Sequence, residues 1–239
     1  DDSKIDGSRT SLASAFITKA KLSAIQGEYD EAEDLIYSSD NLRASGMLTT
    51  ESTNLSYEDD LGGLYLIIGR YSDAQSILTE SLKEKTNQFG NTSRHLNMHL
   101  VLNARFNLIK GDYTEAEQLA RRANTLSIGI FGDESSKTVP SMLELADVYT
   151  AIGDYDKAES ILNNAIRLQK ITFGDEHVAV AKSTSKLALV YLFQEKPLTT
   201  VQPLFQEAER IICKNLGFNN PTYAEILKSM AIANIAAVN

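Results

Sequence analysis

The chain has 239 residues, a formal net charge of -9 and 43% apolar side chains, with no apolar run long enough to span a bilayer. That acidic balance excludes a nucleic-acid backbone as the main ligand, because binding phosphates needs clustered Lys and Arg. A single cysteine, Cys213, excludes an internal disulfide and leaves the compartment open. It reads as a small apolar helix residue, not a reactive thiol, since no histidine lies near it in sequence.

In chain order, Asp1 to Thr10 are polar and expected to fray, so residues 1–12 are set apart as an N-terminal extension. The start carries neither Met nor an apolar signal region, which fits a piece of a longer protein or a processed one equally well. From residue 13 the sequence repeats. Gly27, Gly69, Gly111 and Gly153 stand 42 residues apart, and each opens a Gly-x-Tyr phrase followed by Ala32, Ala74, Ala116 or Ala158. A fixed period of this length means one supersecondary unit stacked on its own copies.

Residues 138 to 171 show the unit most clearly. Met142, Leu145, Ala146 and Tyr149 recur at helical spacing, Gly153 ends that helix, and Tyr155, Ala158, Leu162, Ala165 and Ile166 form a second stripe. Each unit is therefore a helical hairpin, with Asp154 placed to cap the second helix. Ala20, Gly62, Ala104, Ala146 and Ala188, with Ala231 one residue late, are expected where the two helices come closest. Phe89-Gly90, Phe131-Gly132, Phe173-Gly174 and Leu216-Gly217 close the second helices. The last spacing is 43 because one residue is inserted near Lys196-Pro197-Leu198, where the Gly-x-Tyr phrase is missing. The approximate repeats are 13–54, 55–96, 97–138, 139–180 and 181–223, with a partial copy at 224–239. The sixth first-helix, from about Pro221, has a C-terminal half that is apolar nearly all round. It is expected to need cover at Met230, Ile232 and Ile235, from further chain or from another molecule.

The phrase Leu145-Ala146-x-x-Tyr149-x-x-x-Gly153-Asp154-Tyr155-x-x-Ala158 resembles the tetratricopeptide repeat. The longer period and the Phe-Gly-Asp-Glu-His linker at 173 to 177 are similar to the subclass in kinesin light chains and many bacterial multi-domain proteins. Ser23 and Asn107 replace an aromatic of the pattern, and Lys19 and Asn103 replace its Leu. The resemblance covers roughly residues 13 to 239 and implies an all-α fold: a right-handed superhelical solenoid of helical hairpins, about five repeats plus a sixth first-helix.

It also implies that the first helices line a concave face carrying Ile17, Lys21, Asp59, Asp60, Val101, Leu102, Arg105, Leu143, Asp147, Lys186 and Leu189. Those positions suit a peptide held by a few anchors, with Arg105 as the central one. They equally suit a solvated face laced by ion pairs between neighbours, such as Arg105 with Asp147. The carboxylate clamp known in the family does not carry over, because Ile17 and Lys21 break its Lys-then-Asn spacing. Kinesin-light-chain cargo reading does not carry over either, since Ser185-Lys186 stands where paired Asn is expected.

His95 and His99 lie one helical turn apart, but no Glu base or third ligand accompanies them. They read as surface or linker histidines, His177 reads as a loop residue, and no metal or cofactor is expected. No nucleophile motif or phosphate loop appears, so no catalytic residue is assigned. The expected role is a non-enzymatic scaffold that binds a protein, a peptide, or another domain of the same protein, with no nucleic acid and no membrane insertion. The alternative is a regulatory or structural arm of a larger protein, such as one with a caspase-like protease effector domain.

Overall fold

The computed structural model describes the backbone of residues 2–44 and 51–236 and the side chains of residues 12–42 and 57–233. Helix follows helix, and no strand occurs among the described residues. The chain divides into two units, Asp1–Phe106 and Asn107–Asn239. The first holds α1 (Asp2–Gln26), α2 (Tyr29–Ala44), α3 (Glu51–Ile68), α4 (Tyr71–Phe89), a 3-10 turn (Arg94–Leu96) and most of α5 (Asn97–Lys110). The second holds the end of α5, then α6 (Tyr113–Phe131), a 3-10 turn (Ser136–Thr138), α7 (Val139–Ile152) and α8 (Tyr155–Phe173). It continues with α9 (Val178–Phe193), α10 (Leu198–Leu216) and α11 (Pro221–Ala236). Helix α1 runs back to Asp2, through residues expected to fray.

The turn between α7 and α8 shows how the repeated phrase makes a hairpin. Gly153 takes the left-handed conformation (φ 83°, ψ 10°), which a side chain would resist. That bend lets the Asp154 N–H reach the Tyr149 carbonyl at 2.9 Å, satisfying an otherwise orphaned helix end. The Asp154 carboxylate in turn accepts from the Lys157 N–H at 3.4 Å and caps α8. Asp112 caps α6 in the same way through the Glu115 N–H at 3.3 Å.

Small residues fix the closest approach, as the spacing predicts. Ala20, Ala104, Ala146 and Ala188 on first helices, and Ala32, Ala74, Ala116 and Ala158 on second helices, are all 0% exposed. At Gly62 a Cβ would stand 2.5 Å from Leu78 Cδ2, so even alanine overfills that crossing. Ala231 departs from the pattern. It is exposed while Ala233 is buried. Met230 is partly buried, packing against buried neighbours in both clusters that α11 joins. Ile232 is exposed, and Ile235 lies outside the described side chains.

Candidate functional site

The first-helix face is the natural place to look, and its geometry is set by a register. In the first unit Lys21 of α1 pairs with Asp60 of α3. In the second, Lys186 of α9 reaches both carboxylate oxygens of Asp147 on α7, at 2.5 and 2.7 Å. Partners in both pairs are 39 residues apart, one repeat less about one helical turn, so each joins a helix to the next first-helix slightly offset along its axis. Gly63 and Leu102 repeat that relation, a Cβ on Gly63 falling 3.5 Å from Leu102 Cδ2. Lys21, Asp60, Asp147 and Lys186 are thus tied to their neighbours.

Several expected groove residues lie deeper. Ile17 and Leu102 belong to the hydrophobic core of the first unit, and Val101 is buried as well. The apolar stripe of these helices is wide enough to take in positions assigned to the open face. Asp59 is also turned inward, against His99. Leu143 and Leu189 are partly exposed. Arg105 is exposed and carries polar interactions of its own.

The inward carboxylate belongs to a buried polar cluster that the sequence reading missed. His99 is 0% exposed, neither a surface nor a linker residue, and only His95 stacks in the linker, 5.0 Å from the Phe89 ring. The two histidines are therefore not brought to one ion. Among the described residues no group of three His, Cys, Asp or Glu is placed to hold a metal. His99 Nε2 receives Lys85 Nζ at 2.5 Å and also meets Ser81 Oγ. Because an ammonium only donates, Nε2 must accept, which puts the ring proton on Nδ1 beside the Asp59 carboxylate. Glu58 closes the cluster, accepting from Lys85 at 3.0 Å and from Ser81. Burial holds the Asp59 carboxyl above its ordinary value, with His99 opposing that shift.

Ser81, His99 and Asp59 stand in the order of a nucleophile, base and orienting acid. Ser81 is however 2% exposed, in a helix interior whose backbone N–H groups are already bonded, so nothing presents its hydroxyl to a substrate or stabilises an oxyanion. The cluster is a packing device between α3, α4 and α5. The register itself was visible in sequence, since Lys85 and His99 recur one repeat later as Ser127 and Ser141 and again as Gln169 and Ser183. All six are buried polar residues. What the sequence withheld is that this register points inward.

Elsewhere chemistry is muted. His177 caps α9 through its Nδ1, accepting from the Ala179 N–H at 3.1 Å, and stacks on Phe173 at 4.7 Å. The Cys213 thiol is pushed up by burial and by Glu209, away from the thiolate that reactivity requires. No helix among the described residues is long and apolar enough to cross a membrane.

Such an array of helical hairpins, buried small residues at each crossing and neighbour-to-neighbour ion pairs outside, defines an all-α repeat scaffold. The tetratricopeptide repeat model matches residues 95–170 and 138–199. No curated protein sequence matches the chain significantly. Among solved structures, a protein from Podosopora anserina assigned as a kinesin light chain with nearly identical TPR-like repeats is similar at 20% identity. The match covers 87% of this chain and 98% of that one, with a TM-score of 0.62. A point variant of that protein gives 0.64, covering 86% and 96%. BtubC (BKLC) from P. vanneervenii is 15% identical, with 87% and 91% covered and a TM-score of 0.62. Residues 95–199 are thus matched as tetratricopeptide repeats, and the fold of the chain resembles that of the kinesin-light-chain-like repeats. Repeats of this kind are generally protein-interaction scaffolds and typically carry no catalysis.

Proposed function

We propose that the chain docks a peptide segment of a partner, free or part of the same protein, on the first-helix face of its second unit. The supporting observation is local: Leu143 and Leu189 are partly exposed leucines on α7 and α9, and the Asp147–Lys186 pair bridges those two helices. That pair keeps 29% and 38% of its side chains exposed, so it remains within reach of a ligand. Two apolar anchors beside a held pair of opposite charges suit a short segment carrying apolar side chains and one polar or charged group. Being tied already, Asp147 and Lys186 contribute orientation more than energy, and the leucines supply the affinity.

The test is an array of short apolar-rich peptides, followed by titration of the tightest binder. Leu143→Lys combined with Leu189→Lys should lower its affinity by roughly 2 kcal/mol or more without changing helical content. Unaltered affinity in that double variant would remove the face from consideration.

A further inference from the structure

The first unit carries a second recessed surface, and it is unlike the first-helix face in charge. A groove of about 380 Å³ opens between α3 and α4. Leu61, Tyr65 and Ile77 form its floor, and Glu58, Asp73, Glu80 and Glu84 its walls. Helical geometry gathers them: Asp73, Ile77, Glu80 and Glu84 follow one another at three- or four-residue steps on α4, facing Glu58, Leu61 and Tyr65 on α3. Glu58 is held from behind by Lys85 at 3.0 Å, and Asp73 by Arg70 at 2.6 Å. Glu80 and Glu84 are exposed and have no cationic partner among the described residues. Helix α2 adds further negative charge, Asp40 acting on Tyr65 and Glu33 on Arg70. Burial, reinforced by Asp40, pushes the Tyr65 hydroxyl up to about 12.

Two of the lining residues already engage a cation of the chain itself. Arg70 lays its guanidinium 4.8 Å from the centre of the Tyr65 ring while its Nε pairs with Asp73, so ring face and carboxylate act together on a planar cation. Glu80 and Glu84 follow about two and three helical turns further along α4, with no cation paired to them among the described residues. At this volume the groove takes two or three side chains, not a folded surface. Acidic walls also repel phosphates and anionic lipid headgroups.

We propose that this groove docks a basic, amphipathic segment of a partner protein, with apolar side chains on Leu61 and Ile77 and Lys or Arg against Glu80 and Glu84. It is independent of the face assigned in the second unit. The probe is a short labelled peptide carrying two arginines one helical turn apart with leucines between them, alongside a twin with glutamate for arginine. In fluorescence anisotropy the arginine peptide should bind the full chain and the glutamate twin should not. Glu80→Lys with Glu84→Lys should weaken binding about tenfold or more, Ile77→Ala should weaken it several-fold, and Asp133→Lys with Asp175→Lys should leave it unchanged. The proposal is overturned if wild type fails to bind the arginine peptide or if the Glu80 and Glu84 changes have no effect. It is overturned equally if the Asp133 and Asp175 changes weaken binding as much, which is general attraction to an acidic protein, or if Ile77→Ala binds as wild type, which leaves the floor without a role.

Discussion

Glu195 stands one repeat after Gly153, at the position that closes every earlier hairpin, and it adopts the same positive φ, here 55°. A side chain resists that conformation by about 1 kcal/mol. Local bonds offset the strain: Gln194 donates to Asp156 and Glu159 at 3.0 Å, and Lys196 pairs with Glu159 at 2.9 Å while lying 3.5 Å over the Tyr191 ring. Glu195→Gly keeps those bonds and relieves the strain, so it should stabilise the protein by about 0.5–1 kcal/mol in urea unfolding. A second residue-scale expectation concerns pH. Arg210 first, then Lys214, holds the Glu176 carboxyl down to about 2, from an ordinary 4.5. A depressed carboxylate contributes stability above its unfolded value, and that contribution is lost as pH falls from about 4.5 through about 2. In an NMR titration the Glu176 side chain should have a midpoint far below other exposed glutamates, and Arg210→Ala should bring it most of the way back.

At the scale of the element, the contrast lies between hairpins held by alanines and one helix junction held by charge. Lys85, Glu58, Asp59 and His99 are mutually compensated, so removing the cation leaves two carboxylates facing a low-polarity interior. Lys85→Met should therefore destabilise the protein by roughly 3 kcal/mol, well above an exposed Lys substitution, and adding Glu58→Leu should recover much of that loss. Calorimetric scans of both variants check this; a double variant no more stable than the single one would show that the loss is one of packing. The alanine junctions respond differently. Ala158 is fully buried where α8 meets its partner helix, so Ala158→Leu should overpack that crossing and cost on the order of 1–3 kcal/mol.

For the whole molecule, a repeat array is stabilised by each hairpin and its nearest neighbours, so damage stays local. Hydrogen exchange of Ala158→Leu should quicken in α7, α8 and α9 and leave α1 to α3 at wild-type rates. Acceleration of equal size throughout would mean the chain opens as one body. The period, hairpin, turn glycines, capping Asp154 and packing alanines were all legible in the sequence, because each depends on bonds or contacts between residues close along the chain or one repeat apart. Facing was not legible. A period of 42 residues brings Ile17 and Val101 to equivalent positions, with Leu102 next to the second, but cannot say how far round the helix the core reaches, and the structure buries all three. Asp59 and Asp60 are adjacent in sequence, yet one turns inward to His99 and the other outward to Lys21, since neighbours on a helix point about 100° apart. The acidic groove likewise draws on two helices whose separate patterns look like ordinary solvated faces. Sequence alone determined which elements form and how they repeat, through local geometry. Only the tertiary structure decided which charges are paired, buried or open, because that depends on what each helix packs against.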